Sequence, residues 1–265
     1  MCEIKYNTKP GGIAVTDRLK GKLIIITGAA SNIGKEAVRE FVAEGARVVI
    51  GDRDSMGVKT AEEFGNSVHF IEVDVRSEDS VRNLIEKGAE WLGGLDVLVQ
   101  NAGLQYSGAV TEFDAKSWDA LFAVNSRAHF FGAKYAIPLL RKNGGGSIVN
   151  MSSLAGKRGG PGMTAYSASK GAVIAFTTAL AMELAGDNIR VNAICPGWVD
   201  TNFNKPAINF MGGADSQFNT VKSSVPMKRQ AQSSEISPMF VYLASDESSY
   251  MTAQAITIDG GVYNS

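Results

Sequence analysis

The sequence predicts an α/β protein: one doubly wound domain built on a seven-stranded, mostly parallel sheet with helices on both faces. Three observations carry that expectation. Short apolar runs recur along the chain, each too apolar to have a face in water. Between them lie segments whose apolar residues recur at helical spacing. Each run ends in small or polar residues, Gly28-Ala29-Ala30 and Asn101-Ala102-Gly103 among them. Strands and helices in alternation, joined by right-handed crossovers, give a parallel sheet covered on both sides.

The chain has 265 residues, 45% of them hydrophobic, which suits one large domain with an ample core. A net charge of −1 and no basic run give no electrostatic argument for a nucleic-acid partner. The apolar runs look strand-sized, short of the ~20 residues that span a bilayer. No signal pattern opens the chain, so no membrane is expected and the cytoplasm is the expected location. The two cysteines, Cys2 and Cys195, do not make a disulfide framework, and no Cys/His cluster suggests a metal site. His69 and His129 read as structural.

Residues 1–20 are polar and weakly patterned, with a break at Pro10-Gly11-Gly12, and read as a loosely attached leader to a domain over 21–265. Residues 22–27 form the first strand. Gly28-Ala29-Ala30-Ser31-Asn32-Ile33-Gly34 is a turn of small residues. Ala37, Phe41 and Val42 then recur at helical spacing, and Gly45 is placed to end that helix. A second strand over 47–51 closes on Asp52. Strand, glycine turn, helix, strand and acid make a dinucleotide-binding βαβ unit, so the fold is expected to be of Rossmann type. Backbone amides of the turn must approach a pyrophosphate where helix N–H groups are unpaired, and only small side chains allow it. Asp52 suits the adenine-ribose hydroxyls and repels a 2′-phosphate, favouring NAD over NADP. Arg53 is the counter-argument, since an arginine holds such a phosphate.

The alternation continues with a strand over 68–73 leading to Asp74-Val75, a helix from Ser77 to Trp91, and a fourth strand over 95–100. A long helical segment surrounds Trp118, Asn125 and Phe131 and is punctuated by Pro138. The fifth strand carries Ser153. A helix rich in alanine holds Tyr166, a sixth strand covers 189–194, and a seventh 255–258. In such sheets ligands bind beyond the carboxyl ends of the strands. Asp52, Asp74, Asn101, Ser153 and Pro196-Gly197 all fall at that edge. Tyr166 and Lys170, four apart, share one helix face. An ammonium within ~4–6 Å lowers a phenol's pKa from about 10 by about 1–3, into the range useful for proton transfer to an alcohol. Ser153 could hold the same substrate oxygen.

With these residues assembled, the chain resembles the short-chain dehydrogenase/reductase family from about residue 18 to 263. The matching pieces are TGAASNIG at 27–34, DV at 74–75, NAG at 101–103, Asn125, the serine pair, YSASK at 166–170, PG at 196–197 and the IDGG ending. The resemblance implies a catalytic set of Asn125, Ser153, Tyr166 and Lys170. In it Tyr166 is the general acid/base and Ser153 orients the substrate oxygen. Lys170 binds the nicotinamide ribose and lowers the tyrosine pKa, and Asn125 holds a water linking Lys170 to solvent. It further implies cofactor contacts from Gly28, Ser31, Asn32, Ile33 and Gly34, from Asp52 and Arg53, and from Asp74 and Val75 at the adenine. Asn101, Ala102, Gly103, Pro196 and Gly197 would follow the cofactor, with Val199 and Thr201 at the nicotinamide amide. A secondary alcohol or ketone would be the substrate, and a homotetramer the assembly. The family usually has glycine where this chain has Asn32, a residue that tolerates positive φ.

Substrate choice is expected to rest on residues 154–165, on Gln105 and Tyr106, and on an irregular insertion at 200–230. That insertion, with Phe203, Phe210, Met211 and Phe218, reads as a lid or as a satellite core. Lys157 and Arg158 read as solvated or as recognising an anionic substrate, and Trp198 as a pocket wall or a buried prop. Two other functions fit parts of the pattern: a catalytically silent nucleotide-binding module, and an epimerase or dehydratase of the extended branch. The complete Asn, Ser, Tyr and Lys set speaks against the first. The small insertion speaks against the second.

Overall fold

In β1 (Leu23–Thr27) alternate side chains enter two different cores. Ile24 and Ile26 turn to one face of the sheet and Ile25 to the other, and all three are fully buried. This is what a strand covered on both sides requires, and it explains why the run lacks polar positions. The computed structural model describes residues 17–264. After β1 come α1 (Asn32–Ala43), β2 (Arg47–Asp52), α2 (Met56–Phe64), β3 (Val68–Glu72), α3 (Glu78–Leu92) and β4 (Val97–Gln100). Then follow α4 (Ala115–Phe122), α5 (Ala128–Lys142), β5 (Gly146–Met151), α6 (Thr164–Leu184) and β6 (Ile189–Pro196). The chain ends with α7 (Lys205–Phe210), α8 (Ala214–Ser224), α9 (Ser237–Ala244) and β7 (Ala255–Ile258).

The seven strands lie in the order β3-β2-β1-β4-β5-β6-β7, and every neighbouring pair is parallel. The expected "mostly parallel" sheet is therefore wholly parallel among the described residues. The chain winds outward through β2 and β3, then crosses back to β4, so the strand order reverses between β1 and β4. A crevice opens there at the carboxyl ends. One core packs Phe41 of α1 edge-on against Phe240 of α9, with ring centroids 6.5 Å apart. The opposite core packs Leu84 and Ile85 of α3 and Leu180 of α6 against Val49, Leu98 and Ile148.

Local chemistry sets the ends of these helices. Ser77 accepts from the Ser80 N–H and Asp114 from the Ser117 N–H, capping α3 and α4. Gly93 ends α3 at φ 87°.

Five expectations are corrected. Residues 1–16 lie outside the described residues, but 17–20 are no loose leader. Leu19 is fully buried, and the Arg18 guanidinium donates twice to Glu247 at 2.8 Å. The helical segment around Asn125 is interrupted by a π turn over Ala123–Arg127, whereas Pro138 lies inside α5 without ending it. The insertion at 200–230 is not irregular, since it forms α7 and α8. Ser153 lies two residues beyond β5, capping a short 3-10 turn over Leu154–Gly156. Finally, α6 is long and apolar enough, by length and composition alone, to cross a membrane, although the apolar runs had looked strand-sized. Its Ser169, Lys170 and Thr177 are buried among polar partners within the domain.

Candidate active site

The turn after β1 is built from close approaches. Gly28 has φ 70°, and a Cβ there would stand 2.6 Å from the Ala102 Cα. The Asn101 amide donates to the carbonyls of Thr27 (3.2 Å) and Gly28 (2.7 Å), tying the end of β4 to this turn. Asn32 has φ 51°, the positive value anticipated for it, and its amide donates to Ser31 Oγ at 3.1 Å. Ser31 starts α1 with no side-chain cap, so the first-turn N–H groups are left for another partner.

Asp52, at the end of β2, accepts from the Ala30 N–H at 3.0 Å and from the Asp54 N–H at 3.1 Å. These bonds hold its carboxylate at the mouth of the turn. Asp74 is gripped by Arg76, whose Nη2 donates at 2.6 Å and Nε at 2.9 Å. That side-chain bond holds the Asp74 carboxyl below its usual range. The sequence reading missed Arg76, although it stands two residues after the acid it pairs with.

A cavity of about 900 Å³ runs along this edge. Every cofactor contact that the family resemblance implies lines it, as do Gln105, Tyr106, Trp198, Ser153, Tyr166 and Lys170. Asn125 does not. It is fully buried behind the wall, where its Oδ1 accepts from the Leu104 N–H (2.7 Å) and its Nδ2 donates to the Leu104 carbonyl (2.9 Å) and to Ser169 Oγ (3.0 Å). Both of its amide hydrogens are thus engaged within the protein, which leaves its side chain no donor for the expected water.

At the floor of the cavity, burial pushes the Tyr166 phenol up to about 12, opposed by its hydrogen bond with Ser153. The expected lowering by Lys170 is absent from this balance. Burial also brings the Lys170 ammonium down to about 8, and its Nζ donates to the Met151 carbonyl at 2.8 Å. Ser152 holds the helix that carries both, donating to the Lys170 carbonyl at 2.8 Å.

Phe203 stands over Tyr166, with ring centroids 6.2 Å apart. Phe210 and Met211 line the cavity from α7 and the turn after it, and Phe210 closes on Gly162, where a Cβ would meet its ring at 2.1 Å. Phe218 is exposed and does not line the cavity. Val221 and Val225 form a small core against Trp198, so the insertion is both a roof and a satellite core. Trp198 likewise both lines the cavity and props that core.

Lys157 is half-buried, Arg158 is exposed and lines the cavity, and both are tied back to the domain. Lys157 Nζ donates to the Ala255 carbonyl and to Thr257 Oγ1, and Arg158 donates to the Val262 carbonyl at 2.7 Å. They fasten the loop after β5 to the end of the chain. Arg76 also lines the cavity and was missed; Met163 and Asn204 line it from within the two segments expected to set substrate choice, where no motif singles them out.

These residues fit a dinucleotide. The uncapped start of α1 offers N–H groups to phosphate, Asp52 offers a carboxylate to ribose, and the volume falls in the range of small-molecule sites. Among the described residues no group of three or more His, Cys, Asp or Glu is placed to hold a metal.

A family model described as enoyl-(acyl carrier protein) reductase matches residues 28–263. The chain is 40% identical over 250 residues to a 3-oxoacyl-(acyl-carrier-protein) reductase of Thermotoga maritima, covering 92% of this chain and 99% of that one. It is 36% identical to an NADP-dependent (R)-specific alcohol dehydrogenase of Lentilactobacillus kefiri, covering 93% and 98%. The crystal structure of levodione reductase superposes with a TM-score of 0.87 at 27% identity, covering 91% of this chain and 97% of that one. Its fold, its motifs and these relatives together establish that the chain belongs to the short-chain dehydrogenase/reductase family of oxidoreductases.

Proposed function

We propose that this protein is an NAD-preferring oxidoreductase that interconverts a secondary alcohol and its ketone, with Tyr166 as the general acid/base. The observation that carries the reading is the meeting of Tyr166, Ser153 and Lys170 on the floor of one cavity whose other end carries Asp52. The cofactor, when bound, supplies the hydride acceptor or donor at its nicotinamide ring. In the direction of reduction the Tyr166 phenol gives its proton to the ketone oxygen, while Ser153 holds that oxygen by hydrogen bond. A phenol held protonated by burial is prepared for this role. In the direction of oxidation the same oxygen must first lose its proton, so that direction gains from higher pH. In this reading Lys170, on the same cavity floor, holds the nicotinamide ribose.

Asp52 supports NAD, because a second negative charge beside its carboxylate is unfavourable. The Lentilactobacillus relative is NADP-dependent by name, and Arg53 lines the same end of the cavity, so the preference needs a direct test. Asn125 acts by fixing the Leu104 peptide. A homotetramer belongs to the same reading, supported by exposed Phe130 on α5 and Met182 on α6. Purified protein given alcohols and ketones with NAD(H) and NADP(H) in turn should show turnover, faster with NAD(H). No absorbance change with any pair would end the reading.

A further inference from the structure

Gln105 is only 5% exposed, yet its Oε1 is buried without a hydrogen-bond partner. Among the described residues, the side chains of His129, Ser107, Ser167 and Ser237 also bear buried unpartnered polar atoms. Of all of these, Gln105 alone lines the large cavity. A buried amide left unpaired is destabilising, and a methionine of similar length would fill the same space without that cost. Its partner is therefore to be sought in what the cavity binds.

The position of this amide is fixed from both sides. Asn125 holds the N–H and carbonyl of Leu104 immediately before it, and the Gly108 N–H donates to the Gly162 carbonyl at 2.9 Å just after it. Two residues earlier, a Cβ on Gly103 would stand 3.6 Å from Lys170 Nζ and 3.5 Å from the Phe203 ring, which itself covers Tyr166. The segment therefore runs beside the reacting end of the cavity. Much of the wall there is apolar, with Leu154, Met163, Trp198, Phe203 and Phe210. A ligand with one carbinol and an otherwise apolar body would satisfy that wall and leave the Gln105 amide unpaired.

We propose that Gln105 is a specificity-determining residue that pairs with a second oxygen on the substrate, so that the preferred substrate is a vicinal diol or the matching hydroxyketone. A hydroxyl both donates and accepts, and suits an amide that can offer Oε1 or Nε2. The proposal rests on the reading of Tyr166 as the acid/base of an alcohol–ketone reaction. It adds the chemical class of the substrate.

The test compares cyclohexane-1,2-diol with cyclohexanol, a pair differing by one hydroxyl, in wild type, Gln105→Met and Gln105→Glu. Wild type is expected to favour the diol in kcat/KM by about 10–100-fold, the factor one buried hydrogen bond supplies. Gln105→Met should bring that ratio close to one, and Gln105→Glu, which keeps an acceptor of the same length, should retain part of it. Binding of the reduced cofactor by fluorescence verifies that each variant keeps its cavity. A wild-type ratio near one overturns the proposal while leaving the alcohol–ketone reading intact, as does the same ratio in wild type and both variants. No turnover of either compound overturns the proposal, and the alcohol–ketone reading falls with it only if the wider panel of alcohols and ketones is inert as well.

Discussion

Asn125 clamps Leu104 by both polar groups of its backbone, accepting from the N–H at 2.7 Å and donating to the carbonyl at 2.9 Å. The bracket joins the π turn at Ala123–Arg127 to the loop after β4, and the same side chain reaches Ser169 on α6. Three segments of the cavity wall thus meet at one amide that never touches the cavity itself. Removing it leaves the half-buried N–H and carbonyl of Leu104 unpaired. Asn125→Ala should lower the free energy of unfolding by about 2–3 kcal/mol, read by urea titration, and should lower turnover as well. A loss of stability below the error of that titration would mean the bracket is dispensable.

Asp52 is expected to set the cofactor preference. Asp52→Asn keeps an acceptor for the Ala30 N–H but removes the charge. The ratio of kcat/KM for NAD to that for NADP should then fall by about 10–100-fold. An unchanged ratio would place the discrimination at another residue.

His129 gives a stability signature on the acid side. It is wholly buried, neither ring nitrogen has a partner, and burial brings its pKa down to about 3. The unfolded chain binds this proton below about 6.5 and the folded chain does not. Its share of stability is therefore full above pH 6.5 and is lost as pH falls from there toward 3. By pH 5 the loss is about 2 kcal/mol. Unfolding titrations at pH 7 and pH 5 should show that His129→Leu loses less stability over this interval than wild type. Equal losses would mean that His129 is not buried as a neutral group.

The sheet was legible because a strand covered on both faces leaves no polar position, so runs such as Ile24-Ile25-Ile26 announce themselves. The cavity was legible for a related reason: residues at the carboxyl ends of parallel strands share an edge whatever the details of packing. Contacts that depend on side-chain reach were not. The ties made by Lys157 and Arg158 were hidden because the carbonyls they bind belong to residues about 100 positions away. The π turn at Asn125 is confined to one turn, Ala123–Arg127, too short a span for apolar periodicity to expose. Helices α7 and α8 were hidden by glycines and by weak apolar spacing. The shift of the Tyr166 phenol was misjudged because sequence spacing places a lysine nearby but says nothing of how deeply the phenol is buried.

The proton held by Tyr166 should govern the direction of the reaction with pH. Burial keeps the phenol protonated far past neutrality, so alcohol oxidation should accelerate as pH rises from 7 toward 10 while ketone reduction stays level over the same range. Steady-state rates in both directions across that range test this. Parallel profiles in the two directions would contradict it.

The account stands on the phenol of Tyr166 as the group that exchanges a proton with the substrate oxygen. The most direct measurement is turnover by Tyr166→Phe beside its binding of reduced cofactor, with wild type as the control. A fall in kcat of at least about 10²–10⁴-fold with cofactor affinity retained is the predicted result. Turnover close to wild type in that variant would contradict the account.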